Sequence, residues 1–200
     1  MIDRRNLLSL VATGLVLPAV ARAADPDPLF ADRAIGNPDA KNTIIEYFSL
    51  TCPHCAAFSR DVFPKVKAEL IDTGKVRYIF RDYPLDQLAL TAAMVARALP
   101  PERYEPFISA LFASQDRWAY ARGVNNTEEL WKTAALAGMS RQTFDAAIAN
   151  EALKKAIVAG AEKAQNVDHV DSTPTFIIDG ERHAGGMDFD ALAKMLHATG

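Results

Sequence analysis

The chain is 200 residues long, half of them hydrophobic and 24% charged, a balance that suits one globular unit and excludes a disordered or collagen-like chain. Its net charge is −3, its isoelectric point is near 5.8, and no basic stripe runs through it, so the electrostatic footprint of a nucleic-acid-binding protein is missing. Only two cysteines occur, Cys52 and Cys55, too few for a disulfide scaffold or a four-thiolate metal site, so whatever they do they do as a pair.

Residues 1–23 have the layout of an export signal, with Arg4 and Arg5, an apolar run over 7–20, and Ala21-Arg22-Ala23 as a cleavage site. The run contains Gly14 and Pro18 and falls short of the ~20 apolar residues of a membrane span, so cleavage after Ala23 is expected rather than an anchor. With no cysteine in the segment, the mature N-terminus is expected to carry no lipid. Asp3-Arg4-Arg5-Asn6-Leu7-Leu8 fits a twin-arginine signal as well as an ordinary charged start, and both routes end in an oxidising compartment, the periplasm.

Residues 25–28 read as a leader, and Gly36-Asn37-Pro38-Asp39 as a turn before the first strong element, with order expected from near residue 33. Residues 43–49 are β-branched and aromatic and predict a buried strand with one anomaly, the charge of Glu46. A helix is expected from Pro53 to about residue 72, closed by Gly74 and kinked at Pro64. Residues 75–80 predict a second strand, which makes a right-handed βαβ unit.

Residues 86–167 are alanine-rich and helical in pattern, interrupted at Pro100-Pro101, at 123–126, at Gly138 and at Asn150, and predict four or five helices. Asn126, with Glu129 three residues on, and Ser140 are the expected N-caps. A strand over 175–178, a turn at Asp179-Gly180, a paired strand over 182–184 and a helix after Asp188 complete the chain. The expected class is α/β. Residues 24–85 and 168–200 form the sheet-bearing part, and 86–167 an inserted helical subdomain far longer than a crossover needs. Trp118, Tyr120 and Trp131 are assigned to the core, Phe48 and Phe58 to packing beside the cysteines, and His197 to a helix surface.

Cys52-Pro53-His54-Cys55 stands where a strand meets a helix, the context in which C-x-x-C means redox chemistry. Unpaired N–H groups and a partial positive charge at a helix N-terminus favour thiolate at Cys52, and His54 adds an imidazole close by. A stabilised thiolate stabilises the reduced form, which makes the disulfide an oxidant. Cys55, one turn inward, is expected to be buried and to act as the leaving thiol. A purely structural disulfide is the weaker reading, because so short a loop constrains the unfolded chain little. No metal is expected, since zinc needs more ligands, His169 and His183 could join only by chance of fold, and Ala56 stands where a c-type haem motif needs histidine.

The run Glu46-Tyr47-Phe48-Ser49-Leu50-Thr51-Cys52-Pro53-His54-Cys55, the helical block, and Ser172-Thr173-Pro174-Thr175-Phe176 before a strand together resemble the DsbA family of bacterial thiol:disulfide oxidoreductases. The resemblance spans nearly all of the mature chain. It implies a thioredoxin-like fold with an inserted helical subdomain, a redox-active Cys52–Cys55 disulfide and no other cofactor. It also implies that Pro174 is a cis-proline facing that disulfide, leaving a backbone edge for substrate. Thr173 departs from the valine usual in the best-known oxidases and resembles the isomerase branch; its hydroxyl is placed to hydrogen-bond the Cys52 sulfur. Glu46 stands where the family carries a buried carboxylate. It should be neutral or partnered, with Arg77 on the adjacent strand as the candidate partner, and it could relay protons for Cys55; the alternative is a sheet-edge charge facing solvent.

The expected function is that of a monomeric periplasmic dithiol oxidase acting on exported proteins with free thiols and reoxidised by a DsbB-like membrane quinone reductase. Two rivals remain. A reductase or isomerase is suggested by Thr173 but lacks an N-terminal dimerisation domain, since only about 19 residues precede the first expected strand. A non-catalytic holdase would survive loss of both cysteines.

Overall fold

The computed structural model describes residues 29–198, so the expected export signal and the leader over 25–28 lie outside the described residues, as does the side chain of His197. Five strands, β1 (Arg33–Gly36), β2 (Asn42–Phe48), β3 (Val76–Asp82), β4 (Thr175–Ile178) and β5 (Glu181–Ala184), form one sheet in the order β1-β3-β2-β4-β5. Only β2 and β3 run parallel; the other pairs are antiparallel. The parallel pair is bridged by helices α1 (Pro53–Asp61) and α2 (Phe63–Val66) and a π-helical turn, Lys67–Ile71. Between β3 and β4 lie α3 (Gln87–Arg97), α4 (Pro101–Ala113), α5 (Gln115–Trp118), α6 (Asn126–Leu136), α7 (Arg141–Ile148) and α8 (Glu151–Val167), and α9 (Phe189–Ala198) follows β5.

The central strand β2 is covered on both faces, which is why its sequence lacks a polar alternation. Ile44 and Phe48 join Cys55, Phe58, Phe63, Tyr78 and Phe176 in the main core. Tyr47 packs on the opposite face against Ala164 and Val170. Aromatic edges knit the main core, with Phe48 against Phe112 at 5.8 Å between ring centroids and Phe63 against Tyr78 at 5.3 Å.

Several expectations are corrected here. The single kinked helix over 53–72 is instead two helices and a π-turn, with the break at Val62 (φ −119°). Pro64 sits in the first turn of α2, where its missing N–H costs no helical bond, so it starts a helix rather than bending one. Strand β1 was not expected, although order was expected from near residue 33, because four residues without alternation carry no strand signal until β3 supplies their partners. Gly36 closes β1 at φ +89°, and a Cβ there would meet the Val76 carbonyl oxygen at 2.4 Å, so only glycine fits. The helical block holds six helices because of the one-turn α5.

The N-cap of α6 is Asn125, whose side chain accepts from the N–H groups of Thr127 and Glu128. Asn126 lies one residue inside and donates to the carbonyls of Trp118 and Ala119. Ser140 caps α7 as expected, accepting from Thr143 N–H at 3.1 Å. Trp118 is buried and donates to the Leu111 carbonyl, and Trp131 packs edge-on to Phe144. Tyr120 is not core: it is 52% exposed, and its hydroxyl donates to the Thr51 carbonyl, beside the cysteines. Among the described residues no helix is long and apolar enough to cross a membrane, and no cluster of three candidate metal ligands occurs.

Candidate active site

The site is built where β2 runs out into α1. Residues 49–52 form a tight turn closed by Cys52 N–H to the Ser49 carbonyl at 3.0 Å, which makes Cys52 the N-cap of α1 (φ −78°, ψ 121°) with Pro53 in the first helical turn. Both cysteines are free thiols. Cys52 is 4% exposed and Cys55 is fully buried, whereas Pro53 and His54 face solvent.

The two thiols are driven in opposite directions. Cys52 is pulled down to about 5, first by the hydrogen bond from Cys55, against its own burial, and further by the Thr173 side chain and the backbone N–H groups of Cys55 and His54. The expectation of a helix N-terminus that favours thiolate thus has its atoms. The contribution of His54 among them comes through its backbone rather than its ring. Cys55 is pushed far above the ordinary thiol range by burial, by donating to Cys52, and by the charges of Glu46 and Cys52.

The Thr173–Pro174 peptide is cis and lies against Cys52. Cys52 Sγ contacts the Thr173 backbone carbonyl at 3.3 Å, whereas the sequence pointed to the hydroxyl. Thr173 Oγ1 is buried without a hydrogen-bond partner of normal geometry, yet it counts among the groups lowering the Cys52 pKa, because a thiolate is the acceptor it lacks.

Glu46 is buried behind the pair, 4% exposed. Its Oε2 accepts from the Tyr78 hydroxyl at 2.7 Å and its Oε1 has no partner. Burial raises its pKa to about 7 against the pull of the Tyr78 bond. Arg77 is not its partner: in the β2–β3 register Arg77 lies opposite Thr43 while Tyr78 lies opposite Ile44, so the pleat turns Tyr78 to the face of Glu46 and Arg77 to the other. The alternation was visible in the sequence, but the register was not.

Because the Glu46 pKa is raised on folding, its contribution is full below the unfolded value near 4.5 and is lost as pH rises through the folded value near 7. Glu46→Gln removes this dependence. Relative to the parent, the variant is expected to gain about 3 kcal/mol between pH 4 and pH 8, read from urea unfolding at both pH values. A parent and variant that change in parallel with pH would show that Glu46 is not buried as an acid.

Residues that no motif pointed to lace the cysteine turn to the helical block. Thr51 Oγ1 donates to Asp86 at 2.6 Å, Leu85 N–H to Ser49 Oγ at 3.3 Å, and Gln115 Nε2 to the carbonyls of Leu50 at 2.8 Å and Cys52 at 3.0 Å. These contacts join residues 35 to 65 apart in sequence, a separation at which spacing carries no signal.

The chain matches the family model described as Thioredoxin over residues 30–198. Its structure superposes on Wolbachia pipientis alpha-DsbA1 with a TM-score of 0.78 at 34% identity, covering 84% of this chain and 90% of that one. It superposes on a protein-disulfide isomerase from Novosphingobium aromaticivorans with a TM-score of 0.72 at 30% identity, covering 84% and 97%. A putative protein-disulfide oxidoreductase of Rickettsia felis is 28% identical over 163 residues, 81% of this chain; the chain spans only 58% of that relative's length. With a C-x-x-C at a helix N-terminus facing a cis-proline on a thioredoxin-like sheet, the chain belongs to the DsbA family of thiol:disulfide oxidoreductases.

Proposed function

We propose that this protein is a periplasmic dithiol oxidase, exported by its N-terminal signal and acting as a monomer on exported proteins with free thiols. The observation that carries the reading is the split between the two sulfurs, with Cys52 drawn down to about 5 and Cys55 pushed up. In the oxidised enzyme a substrate thiolate attacks Cys52 Sγ, the Cys52–Cys55 bond breaks, and Cys55 leaves with the electron pair and takes a proton. A second substrate thiolate then attacks the substrate sulfur of the mixed disulfide. A substrate disulfide forms, Cys52 leaves as a thiolate, and the enzyme is reduced by two electrons.

Each residue has a place in this cycle. Glu46, buried against Cys55 with an unpartnered oxygen and a pKa near neutrality, is suited to supply and remove the Cys55 proton. The segment leading into Pro174 offers a backbone edge beside Cys52 on which a substrate strand can lie. His54 contributes its backbone N–H to the Cys52 sulfur, and Pro53 sets the helix start. The disulfide is the only redox group invoked, and a DsbB-like membrane quinone reductase is the proposed oxidant that restores it. The helical block over 86–167 is proposed to act as an inserted subdomain closing over the pair.

A second reading, disulfide isomerase, is favoured by Thr173 and by the name of the Novosphingobium protein. The reduction potential separates the two. DsbA sits near about −120 mV and thioredoxin near about −270 mV, roughly 7 kcal/mol apart for two electrons. Equilibration of the Cys52–Cys55 pair with glutathione is expected to give a value in the upper half of that interval. A value below about −220 mV defeats the oxidase reading.

A further inference from the structure

We propose that Gln115, the first residue of α5, is a positioning residue: by holding the carbonyls of Leu50 and Cys52 it fixes the Cys52 peptide so that the sulfur faces the N–H groups at the start of α1. The inference rests on Cys52 being the reactive thiol and goes beyond that reading by assigning control of it to a residue of the helical block.

The geometry has three parts. Gln115 is buried, 7% exposed, and its single Nε2 donates both of its hydrogens, to Leu50 at 2.8 Å and to Cys52 at 3.0 Å. Both partners are carbonyl oxygens that can only accept, so the amide is held with its nitrogen toward the turn. The Cys52 carbonyl also accepts Ala56 N–H at 3.1 Å, the first bond of α1, and Cys52 N–H is held by the Ser49 carbonyl. Both sides of the Cys52 α-carbon are therefore tied, one through the turn and the other through α1 and Gln115. Its backbone stays in the N-cap conformation (φ −78°, ψ 121°) that places Sγ against the helix N-terminus and Thr173.

Without the amide, the Leu50 carbonyl loses its donor and the Cys52 carbonyl keeps only Ala56 N–H, so the peptide between turn and helix is held less firmly. Any rotation about the Cys52 backbone carries Sγ off the N–H groups of His54 and Cys55 that favour its thiolate. Gln115 touches neither the sulfur nor a substrate in the proposed chemistry. Its effect passes through the backbone of Cys52.

The test is the pH titration of the Cys52 thiolate, read by its ultraviolet absorbance, alongside thermal unfolding. Gln115→Met keeps the unbranched chain and deletes the donors; it is expected to raise the Cys52 pKa by about 0.5–1, lowering the thiolate fraction below the midpoint about 3- to 10-fold. Gln115→His returns one N–H donor and is expected to recover part of the shift. Leu153→Ala, in a second buried cluster of the helical block that contains no residue of the cysteine turn, lowers the melting temperature, and the Cys52 titration should stay where it is.

A Gln115→Met protein with parental titration and a lowered melting temperature overturns the proposal, as does an equal pKa shift in Leu153→Ala. If Gln115→Met does not fold, Gln115→His decides: a partial rise supports the inference and a parental titration refutes it. Failure of the oxidase reading is a separate result, a parental Cys52 with an ordinary thiol pKa.

Discussion

Iodoacetamide at pH 6 is expected to alkylate Cys52 of the reduced protein about 10-fold or more faster than Cys55. With its pKa near 5, Cys52 is almost wholly thiolate at that pH, while the pKa of Cys55 lies far above the ordinary range. Even an ordinary thiol, with a pKa of about 8.5, is only about 0.3% ionised at pH 6, and Cys55 lies above that range. The stronger base is the better nucleophile once ionised, which returns about 40-fold for such a thiol at a Brønsted slope near 0.45, so the thiolate fraction still wins by about 10-fold. Burial of Cys55 widens the gap further. The same asymmetry predicts two variants of opposite kind. Cys52→Ala and Cys55→Ala should both lose thiol oxidation, since neither can form the Cys52–Cys55 disulfide, but in Cys55→Ala the Cys52 thiolate should still attack the disulfide of oxidised glutathione, expel one glutathione thiolate and accumulate a mixed disulfide that mass spectrometry can detect. Similar alkylation rates at the two sites would remove the basis for calling Cys52 the attacked sulfur.

The relative stability of the reduced and oxidised proteins is expected to depend on pH, with the reduced form the more stable at pH 8. The Cys52 pKa is depressed on folding, from about 8.5 in an unfolded chain to about 5, so the stabilisation is complete above pH 8.5, declines as pH falls, and is gone below about 5. It amounts to about 4 kcal/mol at pH 8 and about 2–3 kcal/mol at pH 7. The opposing term is the disulfide's constraint on the unfolded chain, about 2 kcal/mol for a four-residue loop by the chain-entropy relation. The reduced protein should therefore melt higher at pH 8 by about 4–8 °C, and the order should reverse near pH 6. Melts with and without excess dithiothreitol at pH 8 and pH 5.5 check it. An oxidised form that melts higher at both pH values would mean that Cys52 is not held as a thiolate, and the oxidase reading would lose its physical cause.

Much of this architecture was open to reading from local signals. The strand over 43–49, the helix start at Pro53, the strand over 75–80 and the hairpin around Asp179-Gly180 follow from short-range rules: β-branched runs, a proline at a first turn, a turn dipeptide. Cys52 and Cys55 were equally legible, because C-x-x-C at a strand-to-helix junction places both sulfurs within a single helical turn, where local geometry alone brings them together. The split between them also has a local cause in part, since Cys52 caps the helix and Cys55 lies one turn inside it.

What surrounds the pair was not local. Arg77 and Tyr78 are neighbours in sequence, and which of them meets Glu46 depends on the register of two strands separated by a helix; a slip of one residue would have exchanged them. Tyr120 has the composition of a core residue, yet its placement after the one-turn α5 leaves its ring half in solvent and its hydroxyl on the Thr51 carbonyl. Gln115 and Asp86 belong to no motif, because an amide or a carboxylate acquires a role only when the fold carries a particular carbonyl or hydroxyl to it. The helical block is anchored to the cysteine turn by hydrogen bonds that bridge 35 to 65 residues, and such bonds are specified by packing and not by spacing. The chemistry of this protein is therefore written locally in four residues, and its tuning is written by the long-range contacts that hold them.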